Sequence, residues 1–369
     1  MIKFKAAMTK AADAACATTP KARAPRVARA ALAALALAAA SATMAGCAAK
    51  AGAAPLTSVA VFVPGVVSGS PTYEELVAGV TEAVNATKGA TMKVVEAGYN
   101  QSEWQDRLAA VAATGKFGLV VTTNPSMPEL CAAVARQFPK LRFFVADGRL
   151  QGNPAVATVM YNNYEQGWMV GYLAGLVAST PVDGRKPHGM AGIVVAQHYP
   201  SFDDLIEPGF KAGLVAADPR ARFADRVIGN WYDANKAAEL AKSLIADGAD
   251  IILPIAGGAG QGILTAAKEA GIKALWFDNS GYALAPGVVV GSAVVRQERL
   301  VAERLSTILS GKGDDLFGKA EIVNAAEGYV DFDDSGDAYK ALPQSIRDRL
   351  EKEIAALRDG SLAFPVSGY

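Results

Sequence analysis

The chain has 369 residues, 51% of them apolar and 20% charged, with 36 basic and 36 acidic side chains. That length accommodates two domains with full cores, and the apolar content excludes disorder for most of it. Residues 1–46 hold seven Lys or Arg and one acid, so the remainder has a net charge near −6, which argues against a nucleic-acid footprint.

Read from the start, residues 21–29 are basic and residues 30–46, AALAALALAAASATMAG, carry no charge. A basic region, a short apolar region and a small-residue cleavage site describe a secretory signal peptide, here 1–46. The Ala-dominated segment is a weak candidate for a permanent span. Met44-Ala45-Gly46-Cys47 resembles a bacterial lipobox, in which the Cys thiol takes a diacylglycerol and becomes the new N-terminus. Lipidation at Cys47 is preferred here over a plain signal peptide. Each buried acyl CH₂ contributes about 0.8 kcal/mol, enough over several chains to hold a protein to a membrane. Residues 47–57 then form a tether. With Cys16 removed and Cys47 acylated, Cys131 stands alone at helical apolar spacing and reads as a buried inert thiol.

The body alternates strands and helices. Strands are predicted at 58–63, 92–96, 117–122 and 141–146, and helices at 73–86, 102–114 and 127–137. After a strand at 156–161 and a long apolar helix at 165–179, the polar stretch PVDGRKP (181–187) resets the pattern. Strands follow at 190–195, 226–228, 251–254, 274–277 and 288–294, and helices at 202–217, 234–246, 260–270 and 297–310. The tail contains short strands within 321–332 and a polar surface helix at 343–358. This is an α/β pattern of two Rossmann-like lobes, each with a parallel sheet, joined by a hinge. The first lobe is placed at 58–164, with a segment near 288–310 returning to it, the second at 165–287, and residues 311–369 pack on both.

Ligands in such sheets sit outside the carboxyl ends of the strands, so the residues after each strand are the candidates. They are Ser68 and Tyr73 in the first loop, Asn124, Asp147, Trp231, Gly258 and Gly260 in GGAGQG, Asp278, and Arg296. Glycines at these turns let backbone approach a ligand, carboxylates accept hydrogen bonds from hydroxyls, and aromatic rings stack on flat ones. Each also has a structural reading as a cap, turn or packing residue; it is their shared edge that points to a cleft for a polar, ring-bearing small molecule. Catalytic signatures are weak. GGAGQG lacks the Lys-Ser/Thr of a phosphate loop and the spacing of a dinucleotide fingerprint, and no GxSxG elbow occurs. His188 and His198 are ten residues apart with no second ligand nearby, a poor metal pair. The expectation is a binding protein, not an enzyme, with no cofactor and no metal.

Beyond these residue-level readings, the motifs FPKLRFFVADG (138–148), YNNYEQGWMVGYLAGLVA (161–178), PGFKAG (208–213), NWYDANKAAE (230–239), PIAGGAGQGI (254–263), FDNSGY (277–282) and GSAVVRQ (291–297) together resemble the basic membrane protein family of lipoproteins. Its best-known members look like purine-nucleoside receptors of ABC importers. The resemblance implies a type I periplasmic binding fold whose lobes close on a ligand, an ABC permease and ATPase as partners, and a lipid-anchored place on the outer face of a cell membrane. It also implies that Trp231 matches a base-stacking Phe, Asp147 and Asp278 match cleft acids, Arg296 stands where the family has a Lys near the ligand, and Gly258 and Gly260 match the glycine turn. The family loop Asp-Asp-x-Ser-Phe-Asn is replaced here by SGSPTY, with Thr72 at the Phe position and Tyr73 at the Asn position. The first-lobe carboxylates and stacking Phe are thus missing, and Tyr73 is left to supply the ring. A nucleoside is the first expectation; a ligand-sensing receptor or a sugar-binding protein of the same fold is the alternative.

Overall fold

A computed structural model describes residues 55–364 and 366. The signal segment, Cys47 and most of the tether lie outside the described residues.

The described chain forms two six-stranded sheets. The first contains β1 (Ser58–Val63), β2 (Thr91–Glu96), β3 (Leu119–Thr123), β4 (Arg142–Ala146), β5 (Val156–Tyr161) and β11 (Ala320–Val323), in the order β11-β5-β4-β3-β1-β2. All its pairings are parallel. The second contains β6 (Met190–Val195), β7 (Arg222–Val227), β8 (Ile251–Ile255), β9 (Lys273–Asp278), β10 (Val289–Val295) and β12 (Val330–Asp333), in the order β12-β10-β9-β8-β6-β7. Here only β12 runs antiparallel, against β10. The central strands are buried on both faces, as strands covered by helices on either side must be. The edge strands β2 and β7 are half-exposed and carry charges. That is why the sequence shows only a fragment of β7: an edge strand need not be an apolar run.

Crossover helices are α1 (Pro71–Ala86), α2 (Trp104–Ala113), α3 (Met127–Gln137), α4 (Asn163–Ser179), α5 (Glu207–Ala217, preceded by a π-helical turn at Phe202–Ile206), α6 (Ala234–Ala246), α7 (Gly260–Ala270) and α8 (Gln297–Leu309). The tail adds α9 (Asp337–Lys340) and α10 (Gln344–Arg358). Pro71 occupies the first turn of α1, where its missing N–H is not needed. Asp233 caps α6 through the Lys236 N–H at 2.9 Å. Helix α4 is buried nearly all round; it lies against α5, the second sheet and α10, so it needs no polar face. Helix α10 is less superficial than its composition suggests, because Ile346, Leu350, Ile354 and Leu357 line one buried stripe. Cys131 is fully buried, and burial pushes its thiol well up.

The segment expected to return to the first lobe near 288–310 is divided. Strand β10 belongs to the second sheet, between β9 and β12. Only α8 returns, and it packs on α1: a Cβ on Gly79 would lie 2.4 Å from the Glu298 carbonyl. An apolar strand such as VVGSAVV carries no mark of which sheet it will join. The tail also enters the sheets, with β11 in the first and β12 in the second. The chain therefore passes between the sheets from β5 to α4, from β10 to α8 and from β11 to β12.

Candidate functional site

Within each sheet the order 2-1-3-4-5 is repeated, as β2-β1-β3-β4-β5 and as β7-β6-β8-β9-β10. The strand order reverses beside β1 in one and β6 in the other, and the crevice beyond their carboxyl ends is the topological switch point where such sheets bind ligands.

Three strand-end residues carry a backbone signature. Asn124 after β3, Asp147 after β4 and Asp278 at the end of β9 have φ of 119°, 51° and 70°. Left-handed backbone is unfavourable for a residue with a side chain, and it gathers at functional sites. Here it turns the side chain at the end of the strand while the chain reverses into the next loop.

On the first lobe, Tyr73, Asn124 and Asp147 come together. The Tyr73 hydroxyl donates to the Pro64 carbonyl at 2.8 Å. Its ring lies against Gly65, where a Cβ would stand 2.4 Å from ring carbon Cε2. Burial raises the phenol to about 12, with the Asn124 side chain as a hydrogen-bond partner pulling it down and the charge of Asp147 adding to the rise. Burial, and then the charge of Asp278, raise Asp147 to about 7. Asp278, on the second lobe, thus lies within electrostatic reach of Asp147. Burial raises Asp278 also, and it is held by Gln166 Nε2 from the start of α4, at 2.9 Å. Gln166 is itself fixed, accepting from Asn163 Nδ2 at 3.0 Å.

Other expected residues have partners of their own. Arg296, at the start of α8, is half-exposed and pairs with Asp331 at 3.1 Å. Trp231 is half-buried against Tyr199, with ring centroids 5.9 Å apart, beside Gly257 and the exposed Gly258. This second group stands at the carboxyl ends of β6, β7 and β8. Gly260 is buried, and a Cβ there would lie 3.1 Å from the Trp276 ring, so its smallness serves helix-to-strand packing. Ser68 is exposed near the tip of the first loop, whose backbone is held by Glu96 at Val67 N and by Glu74 at Gly69 N.

Sequence reasoning missed four polar residues at the centre. Glu75, on α1, is raised to about 7 by burial and by the charges of Asp278 and Glu298, against a lowering by Arg296. Tyr161, the last residue of β5, is buried with no hydrogen-bond partner for its hydroxyl. Burial and the charges of Asp147, Glu75 and Asp278 raise it well above the usual phenol range. Gln297 accepts from Thr123 Oγ1 at 2.9 Å and donates to the Thr72 carbonyl at 2.5 Å. Gln166 is the fourth. A polar residue in the first turn of an apolar helix was the available signal for Gln166; nothing local marks Gln297, Glu75 or Tyr161.

The site is rich in acceptors. Among the described residues no group of three or more His, Cys, Asp or Glu is placed to hold a metal ion. Carboxylates and a phenol oxygen accept hydrogen bonds, and charged carboxylates repel anions.

Known proteins resemble this chain in sequence and in fold. Residues 56–358 match the model of the Bmp family, described as ABC transporter substrate-binding protein PnrA-like. A protein of Listeria monocytogenes named CD4+ T-cell-stimulating antigen is 27% identical over 158 residues, 43% of this chain and 42% of that protein. The ABC transporter nucleoside-binding protein BmpA of Lactococcus lactis is 25% identical over 146 residues, 39% of this chain and 38% of that one. These alignments span less than half the length of either relative. A solved solute-binding protein of an ABC transporter system from Aeropyrum pernix K1 shares the fold at TM-score 0.71 and 17% identity, covering 85% of this chain and 94% of that one. The fold is that of type I periplasmic binding proteins, and the chain belongs to the Bmp family of PnrA-like ABC transporter substrate-binding proteins.

Proposed function

We propose that the protein is the solute-binding component of an ABC importer, anchored through lipid on Cys47 at the outer face of the membrane. Its cargo is a small, polar, ring-bearing solute, a purine nucleoside in the first instance, which it hands to a permease and ATPase without chemical change. The observation that carries this reading is the opposition of Asp147 and Asp278 at strand ends of the two lobes, both on left-handed backbone. A solute that bonds both lobes favours the closed form over the open one, which is what a binding protein must signal to its transporter. Trp231 and Tyr199 offer an aromatic wall for a base. No described helix is long and apolar enough to cross a membrane, and in this reading the anchor is the acylated Cys47.

One observation favours a bare sugar as a second reading. The Tyr73 ring is pinned to Gly65 and its hydroxyl to Pro64, so it is not free to stack on a base as the missing Phe would be. A thermal-shift screen of nucleosides, bases and sugars, followed by calorimetry, tests both. The expected result is saturable one-to-one binding of a purine nucleoside that is recovered unaltered. Binding of a sugar alone selects the second reading. Turnover of the bound compound, or no response to any of the three classes, refutes the proposal.

A further inference from the structure

We propose that Glu75 is a ligand-binding carboxylate specific to this cleft, and that with Tyr161 it receives the hydroxyl-bearing edge of the solute. This rests on the nucleoside reading above and adds to it a residue and a chemical selection.

The position of Glu75 follows from the helix. Glu75, Gly79 and Glu82 lie at i, i+4 and i+7 on α1 and share one face. Gly79 touches α8 at Glu298, Val301 and Ala302, so Glu75 stands one turn nearer the cleft. There it borders a groove of about 370 Å³ with Arg296 and Gln297. Gln297 in turn bonds Thr72 of α1 and Thr123 at the end of β3, locking the start of α1 to the site.

What distinguishes Glu75 is that no hydrogen bond holds it, although the charge of Arg296 acts on it. It is half-buried, and its carboxylate has no hydrogen bond or ion pair among the described residues. Its neighbours are occupied: Glu74 holds Gly69 N, Glu96 holds Val67 N, and Arg296 holds Asp331. The second observation is independent. The Tyr161 hydroxyl is on a side chain only 1% exposed, and it too has no partner. Tyr161 closes β5 next to Asp147, since the Gly148 N–H bonds the Val159 carbonyl of β5. A buried hydroxyl in want of a partner is unfavourable, and one that borders a cleft is satisfied when a ligand fills it.

Glu75, Asp147, Asp278 and Tyr161 together present acceptors from both lobes. A solute that fits brings several donors on one edge, as a vicinal diol does; an anionic edge finds carboxyl groups and no cation aimed at it from these four residues. Glu75 thereby supplies, from inside the helix, the first-lobe carboxylate that the SGSPTY loop does not.

Calorimetric titration of the full chain with adenosine and with 2′,3′-dideoxyadenosine tests this, on the wild type, Glu75→Gln, Tyr161→Phe and the control Glu82→Gln. Glu82 borders the far end of the same groove. The wild type is expected to bind adenosine and to lose affinity sharply for the dideoxy analogue. Glu75→Gln should weaken adenosine binding about tenfold or more, as expected for a hydrogen bond to a charged group. The penalty for removing the diol should then shrink by the same factor, because the two deletions remove one interaction. Tyr161→Phe should show the same coupling, and Glu82→Gln should match the wild type. Wild-type binding with an undiminished diol penalty in Glu75→Gln overturns the assignment while the nucleoside reading stands. A wild type that binds neither compound overturns that reading, and this inference with it.

Discussion

Gln166 Nε2 donates to Asp278 Oδ1 at 2.9 Å, tying the first turn of α4 to the last residue of β9. The same amide also reaches the Ala293 carbonyl of β10 at 3.3 Å. One fully buried side chain thus fixes the carboxylate that faces the first lobe.

Gln166→Leu is therefore expected to act on both stability and binding. It leaves Asp278 without its donor and the Asn163 amide without an acceptor. The unpaired groups destabilise the fold by about 1–3 kcal/mol. Ligand affinity should fall in Gln166→Glu as well, since Glu keeps the acceptor for Asn163 but sets an oxygen against Asp278 and the Ala293 carbonyl. Urea denaturation and calorimetry separate the two effects. A variant with wild-type midpoint and affinity would show that the pair carries nothing.

The raised carboxyls make a prediction about pH. Asp147 titrates at about 7 in the folded chain against 3.8 ordinarily, and Glu75 at about 7 against 4.5, in both cases chiefly because burial disfavours the charged form. Within those windows the folded state holds protons that the unfolded state has released. Stability of the unliganded protein should accordingly fall as pH rises from about 4 to about 7. The His198–Asp203 pair, 2.5 Å apart on the surface, raises the His and adds to the fall as pH passes through its titration. Melting temperatures measured across this range should show the slope reduced in Asp147→Asn and in Glu75→Gln, with a remnant from His198. An identical slope in the wild type and both variants would contradict the assignment.

Close approach of α1 to α8 at Gly79 joins the start of the first lobe to the segment arriving from the second. Substitution by Ala already brings a Cβ to 2.4 Å from the Glu298 carbonyl and 3.0 Å from Val301. Overpacking of this kind destabilises by about 1–3 kcal/mol. Because Glu75 shares that helix face, Gly79→Ala should also weaken ligand binding. Differential scanning calorimetry with and without ligand reads both, and an unchanged melting temperature would mean that the helices move apart freely.

How much of this was visible beforehand depended on where each residue lies relative to a strand end. Asn124, Asp147 and Asp278 follow strands directly, so their shared edge could be read from the alternation of elements. Gly260 was equally visible as part of a glycine turn, yet its neighbour is Trp276, which no spacing rule connects to it. Glu75 and Tyr161 were illegible for a different reason. They come within electrostatic reach of each other through the position of β5 in the sheet and the packing of α8 on α1, a consequence of strand order and not of local pattern. The division of the segment at 288–310 has the same origin.

In the proposed reading, membrane attachment depends on Cys47. In Cys47→Ser the acceptor thiol is replaced by a hydroxyl that the diacylglycerol transfer does not use. The protein is expected to move from the membrane to the soluble fraction and to lose labelling by a fatty-acid analogue, while its ligand affinity stays unchanged. Continued membrane fractionation of the variant would point to a different anchor.

Trp231 offers the sharpest separation between a nucleoside and a sugar as cargo. Its indole sits at 47° to the Tyr199 ring, and its own carbonyl accepts from Ala259 N at 3.1 Å, so its backbone is held whatever the side chain does. Truncation to Ala should leave the melting temperature close to the wild type, since the side chain is only partly buried. Stacking of a base on an aromatic ring is worth about 1–3 kcal/mol. Nucleoside affinity should thus fall between about fivefold and a hundredfold or more. A free sugar offers less flat surface and should lose less. If Trp231→Ala binds a purine nucleoside as the wild type does, the aromatic group at the ends of β6, β7 and β8 is packing alone, and the base must be read by the first lobe.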